Sequence, residues 1–300
     1  MSEQKFLISF MNKINFPEEA QEFFQRLYRQ ILEKPEYSRH MDSIIKVFTD
    51  SQSEKAFEQA DFLAKDMNIH SYTMSMMLLL LSCKPLLELY HEKNISEEIY
   101  WDTVADLTYK LNECHQVHGI WGTFVRTWFP LFYQAARFAL GRMQYEYAEF
   151  QLNEYSLNGF TLKKGDKVIN MHIPSSGSFS KEKRMDSYQK AYNFFKKDFS
   201  GKAVPIVCNS WLLYPGYKEI LPAHSNIRSF MDDFSYIQGY TSKEFTDSWR
   251  IFGKDAGKAP ADLPRDTSLK RAFAEYLEKD GTPGSGYGIL FSTSATKYPC

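Results

Sequence analysis

The densest grouping of chemically useful side chains in this sequence lies between residues 142 and 184. The run Lys167-Val-Ile-Asn-Met-His-Ile alternates polar and apolar residues, so on a strand Asn170 and His172 project from one face. An imidazole titrates near neutrality, which suits His172 to take a proton from an attacking nucleophile. A second candidate base, Glu146, stands in an earlier alternating run that puts Arg142, Gln144 and Glu146 on one face. A hydrogen-bonded structural histidine and a solvent-facing acid are the plainer readings of the same two residues.

Pro174 closes the strand-like run, and Ser175, Ser176, Gly177, Ser178 and Ser180 lead into a helix expected from about residue 180 to 198. Small residues between a strand and a helix let a ligand approach free backbone amides at the positive end of the helix dipole, where phosphates bind. Lys181, Lys183 and Arg184 add cations in the first turn, a composition that suits a diphosphate with another phosphate nearby. There is no GxGxxG and no GKS or GKT, and an ordinary strand-to-helix turn with a solvated basic face accounts for the same residues. Cys208 sits in an apolar run with no histidine beside it, which favours an inert buried thiol over a nucleophile. Ser210 and Trp211 follow, with Trp211 either walling a substrate pocket or filling the core. His115 and His118 have no third ligand at matching spacing, so no metal is expected.

The elements that must position these residues fall into two parts. Three hundred residues predict roughly two domains, divided at 1–139 and 140–300. The first reads as helical throughout, with helices from Pro17 and over 37–48, 54–66, 70–82, 85–92, 97–117 and 122–139. Ser96 is its clearest N-cap and Gly119 a stop. Phe124, Trp128, Phe129, Phe132, Tyr133 and Phe138 crowd its last helix and read as core. After Gly141 the period shortens to that of strands, with turns at Asn158-Gly159 and Lys164-Gly165-Asp166. Strands follow at 167–173, 203–213, 236–240, 248–252 and 289–292, helices at 226–234 and 268–279, and a glycine-rich turn at 281–288.

Composition narrows the function classes. Lys plus Arg number 36 against 37 Asp plus Glu, a net charge of -1, so nucleic acid is not expected as a partner. The hydrophobic share of 43% supports a buried core rather than disorder. The cysteines, Cys83, Cys114, Cys208 and Cys300, form no CxxC pair, which fits a reducing cytoplasm. The start, MSEQKFLISF, does not read as a secretory signal. The apolar run Met74–Leu81 falls short of the ~20 residues that span a bilayer, so a buried helix is expected there and no membrane partner.

The order strand, hairpin, strand, small-residue loop, helix, strand, helix, strand, strand, over about residues 141 to 253, resembles the GNAT superfamily of acyl-CoA-dependent acyltransferases. A second local match is Asn226-Ile-Arg-Ser-Phe-Met-Asp-Asp-Phe ending at Gly239-Tyr240. More closely, INMHIPSSGSFS, CNSWLLYP, SNIRSFMDDF and TSLKRAF are similar to a bacterial group in which a helical N-acyltransferase N-terminal domain precedes a GNAT-like C-terminal domain.

The resemblance implies an α+β fold, an N-terminal helical bundle followed by a GNAT-like mixed, mostly antiparallel sheet flanked by helices. It implies acetyl-CoA or another acyl-CoA as cosubstrate and an amine of a small molecule or peptide as acceptor. The strand ending at Ile173 would splay from Val204–Leu213, with pantetheine bonded in the gap and to Asn226. Pyrophosphate would lie on Ser175–Ser180 and outer phosphates on Lys181 and Arg184. His172 or Glu146 would deprotonate the amine, and Asn170, Ser210 and Trp211 would border the substrate. Asp233 stands where the superfamily often has an acidic Tyr, which leaves Tyr236, Tyr240 or a water to protonate the thiolate. A GNAT-like ligand-binding module without catalysis is the alternative.

Overall fold

The computed structural model describes residues 3–200 and 203–294, so Cys300 lies outside the described residues. The chain divides into two compact units, Met1–Phe138 and Ala139–Cys300. The first unit is built from α1 (Glu3–Lys13), α2 (Glu18–Glu33), α3 (Pro35–Thr49), α4 (Ser53–Asp66), α5 (Ser71–Leu81), α6 (Cys83–Glu92), α7 (Glu97–Val104) and α8 (Asp106–His118). Pro35 opens α3, where its missing N–H costs nothing. The Ser96 hydroxyl caps α7 by accepting from the Ile99 amide. Gly119 ends α8 at a φ of 70°, the left-handed conformation that glycine adopts most readily.

The apolar run is the middle of this bundle, with Met74 and Met76 to Leu80 fully buried. Joined through α6, the stretch Ser71–Glu92 is apolar and long enough to cross a membrane by composition, and 61% of its most apolar window is buried inside the fold. Two helix expectations need correction. The helix over 97–117 is broken at Ala105 into α7 and α8. The helix over 122–139 is replaced by a 3-10 turn at Arg126–Trp128, a short α9 (Pro130–Tyr133) and a strand, β1 (Arg137–Leu140). Pro130 cannot donate to a preceding turn, and Ala135 takes a left-handed φ of 48°, so the helix cannot run through. His115 stacks on Trp121 and His118 packs against Tyr72 and Phe124, aromatic packing rather than a shared ligand site.

The second unit contains β2 (Met143–Glu149), β3 (Glu154–Leu157), β4 (Phe160–Lys163), β5 (Lys167–His172), α10 (Lys181–Phe195), β6 (Ala203–Ser210), α11 (Asn226–Met231), β7 (Tyr236–Thr241), α12 (Trp249–Phe252), α13 (Ser268–Glu278) and β8 (Gly284–Thr293). The main sheet has the order β1-β2-β5-β6-β8-β7, and β3 and β4 form a separate hairpin. β2 with β5, β6 with β8 and β7 with β8 are antiparallel, while β5 and β6 are parallel. The fold is therefore the α+β arrangement of helices, then mixed and mostly antiparallel sheet.

Alternation assigns the two faces. Tyr145, Cys208 and Ser292 turn toward α10, where the Tyr145 and Ser187 hydroxyls meet at 2.9 Å and Ser292 donates to the Tyr188 carbonyl. Val168, Val207, Tyr287, Ile289 and Phe291 turn the other way into an apolar cluster with Phe150 and Leu162. Two C-terminal expectations also change. Residues 249–252 are helical, and the expected glycine-rich turn supplies half of a ten-residue interior strand. Side chains at Gly284, Gly286 and Gly288 would collide with Tyr214, Leu213 and Phe234, so glycine here marks packing onto bare backbone rather than a bend.

Candidate active site

The β2–β5 register decides which side chains meet. Gln144 lies opposite His172 and Glu146 opposite Asn170, all on the face away from α10. The His172 Nε2 atom is 2.7 Å from Glu146 Oε1, and Asn170 Nδ2 donates to the same oxygen at 3.2 Å. A carboxylate only accepts, so Nε2 carries the hydrogen of this bond. The His172 side chain retains 21% exposure and Glu146 12%, enough for a small reactant to approach the ring while the acid stays mostly covered.

Beside this pair the parallel ladder is short. β5 and β6 are in register only at Ile169 with Ile206 and Asn170 with Val207, although β6 stays paired to β8 as far as Ser210 with Gly286. The register thus stops two residues short of His172, and Pro174, which has no N–H, follows the end of β5.

The segment from Pro174 to Ser180 turns into α10 through a set of local bonds. Ser176 N donates to the Pro174 carbonyl at 2.8 Å, Ser180 N donates to Ser178 Oγ, and Ser180 Oγ caps the helix by accepting from Lys183 N. The amides of Gly177, Ser178 and Phe179 donate to no acceptor among the described residues. A cleft of about 420 Å³ on the same sheet face is lined by Asn170, Val207, Asn209, Gln238, Tyr240 and Tyr287, among others.

Comparison with known proteins fits this arrangement. Residues 138–290 match the family model described as a GNAT-like C-terminal domain, and residues 5–135 match that of an N-acyltransferase N-terminal domain. The chain belongs to this family.

Among solved structures, an acyltransferase mutant in complex with octanoyl-CoA is 18% identical, with a TM-score of 0.70 over 94% of this chain and 86% of that one. An acyltransferase in complex with decanoyl-CoA and teicoplanin is 17% identical, with a TM-score of 0.69 over 95% and 87%. At that identity the likeness shows the fold. No curated protein matches the chain.

Within the GNAT-like domain, the candidates named from sequence separate into three groups. His172, Glu146 and Asn170 come together where the β5–β6 register stops, and Ile173 and Ser175 to Ser180 form the loop that follows. Lys181 is exposed at the start of α10, and Asn226 is exposed at the start of α11 behind the Ser225 cap. Ser210 caps a 3-10 turn by accepting from Leu212 N, and Trp211 packs in an aromatic group with Tyr217, Phe245 and Phe273.

Arg184 and Tyr236 require correction. Arg184 is fully buried, with Nε 2.5 Å from Asp233 Oδ2 and further bonds to Ser229 and the Phe179 carbonyl, so it does not face a phosphate in solvent. It sits one helical turn inside α10 on the side packed to the core, a phase that charge counting ignores. Tyr236 lies on edge strand β7, three strands and ~14 Å from β5, with its ring against Tyr155. Tyr240 lines the cleft instead, its hydroxyl bonded to Asn209 Oδ1. Burial pushes the Cys208 thiol well above its ordinary pKa, in keeping with an inert residue.

Sequence reading passed over Arg142 as part of the loop. Its Nε donates to the Ser178 carbonyl at 3.2 Å and an Nη to the Pro174 carbonyl at 2.9 Å. No local sequence signal marks it, because only the Gln144–His172 register, stepped back by two, places Arg142 opposite Pro174.

Proposed function

We propose that this protein transfers an acyl group from acyl-CoA to an amine. The observation that carries the reading is the short β5–β6 register, ending at Asn170, beside both the His172–Glu146 pair and a loop whose Gly177 to Phe179 amides have no acceptor among the described residues. Family membership, and the acyl-CoA complexes of proteins with the same fold, support it. In this reading pantetheine lies between β5 and β6 beyond the end of their register, its diphosphate on the amides of Gly177 to Phe179, and Lys181 beside the outer phosphate.

The acceptor occupies the cleft next to Asn170. His172 Nδ1 takes the amine proton as nitrogen attacks the thioester carbonyl, and Glu146 stabilises the imidazolium through Nε2. The C–N bond forms, the C–S bond breaks, and the proton passes to the leaving thiolate, delivered by Tyr240 or by water. Holding the two reactants side by side can supply on the order of 7 to 11 kcal/mol in the best cases, so a single base suffices for the remainder.

The apolar stretch of the cleft, Ala148, Leu152, Val207 and Tyr287, offers more room than an acetyl group requires. That favours a longer acyl chain over the acetyl group expected from sequence. The structures of similar fold hold octanoyl- and decanoyl-CoA, and one holds teicoplanin, a precedent for a peptide-like acceptor. The reaction is placed in the cytoplasm, where acyl-CoA and reduced cysteines coexist.

The test is calorimetric titration with CoA, then release of free CoA thiol from acetyl-, octanoyl- and decanoyl-CoA with a panel of amines. Turnover rising with chain length is expected. Heat from CoA with no turnover on any donor points to the binding-module alternative, and no heat at all removes the reading.

A further inference from the structure

We infer that Arg142 is a positioning residue that sets the diphosphate loop, acting on the loop's carbonyls rather than on the ligand. The inference rests on the proposed acyl-CoA reading. Arg142 occupies the turn between β1 and β2, and its half-buried guanidinium spans the mouth of the loop, holding Pro174 O and Ser178 O together. Only a planar fork with several fixed N–H groups holds two carbonyls this way; a lysine ammonium engages them as a point charge.

The consequence follows from peptide geometry. There is no cis peptide bond among the described residues, so each carbonyl and the next N–H point in opposite directions. Drawing the Ser178 carbonyl to Arg142 therefore turns the Phe179 amide away from it, and drawing in Pro174 O does the same for the Ser175 amide. Arg184 takes the next carbonyl, that of Phe179, from inside the fold. Both guanidinium groups pack on the Phe179 ring, Arg142 5.1 Å and Arg184 5.3 Å from its centre. Two arginines thus grip successive carbonyls of one turn, Arg184 as part of the buried core and Arg142 from the surface. The gripped turn is the one whose Gly177, Ser178 and Phe179 amides have no acceptor among the described residues.

The experiment compares CoA with pantetheine, which lacks the diphosphate, by calorimetry on the wild type, Arg142→Gln and Arg142→Lys, with thermal melts of each. Wild-type CoA binding well above pantetheine binding tests the diphosphate loop by itself; equal affinities remove the loop reading and this inference with it. Given that preference, Arg142→Gln is expected to weaken CoA about tenfold, the loss of one or two well-placed hydrogen bonds, and to leave pantetheine unchanged. Arg142→Lys is expected to recover only part of the loss. An unchanged CoA affinity, an equal loss for both ligands, or full recovery with lysine overturns the inference while leaving the loop reading intact. Should Arg142→Gln lack a cooperative melt, Arg142→Lys alone decides between a loss confined to CoA and one shared by both ligands.

Discussion

The two faces of the C-terminal sheet each have a carboxylate beside a nitrogen-bearing side chain, a guanidinium on one and an imidazole on the other, yet the pairs are built for different ends. On the α10 side Asp233 is held by Arg184 and by the Tyr188 hydroxyl at 3.0 Å, and Arg184 has no exposure. Every strong group there is satisfied within the fold, and the charge has nowhere to go. On the other side the His172–Glu146 pair keeps 21% and 12% side-chain exposure, and the β5–β6 register stops at Asn170, two residues before His172. A polar pair that is fully buried contributes to which fold forms; one that keeps some exposure can exchange a proton with something that arrives.

Substitutions can break that contrast or sharpen it. The largest expected effect is from His172→Ala, which should lower kcat by at least about 100-fold in a thiol-release assay while CoA affinity holds. A change below threefold would put the base elsewhere. Asp233→Ala should act in the opposite currency, leaving Arg184 buried without its partner at a cost of about 3 to 5 kcal/mol. In a unit of this size that lowers the melting temperature by roughly 10 °C, readable by calorimetry. An unaltered melt would show that the α10-side network is not what holds that face.

Glu146→Gln keeps the shape and removes the charge opposite the imidazolium, so kcat should fall about tenfold, less than for loss of the ring itself. Tyr240→Phe should lower kcat a few-fold, and Tyr236→Phe not at all, since only the former borders the cleft. The smallest effect belongs to Cys208, which is buried with its thiol pushed up by desolvation. Alkylating reagents should leave the native enzyme active at neutral pH, and rapid inactivation traced to that residue would reopen it as a nucleophile.

Much of this was legible before any coordinates, and the failures have particular causes. Helical period and capping residues marked most of the N-terminal unit, but Pro130 inside an aromatic run was underweighted against the hydrophobic pattern. His172 and Glu146 were each visible as bases because both lie on alternating strands. That they form one pair depends on a register set by the intervening hairpin and turns, which no local pattern encodes. Arg184 was misplaced because cations near a small-residue loop were counted without regard to helix phase. β8 was misread because three alternate glycines look like a turn, when their partners Leu213, Tyr214 and Phe234 lie far off in the chain.

β8 also has a consequence for how the protein is made. It is the last described strand in the chain, yet it inserts between β6 and β7, pairing with β6 over Gly286–Thr293 and with β7 over Gly284–Ile289. While a ribosome is still adding residues before 284, β6 and β7 have no bridge between them, and their unpaired borders must wait. Completion of this half of the molecule is thus delayed until translation has passed the final strand, whereas the helical half, rich in local contacts, can assemble beforehand.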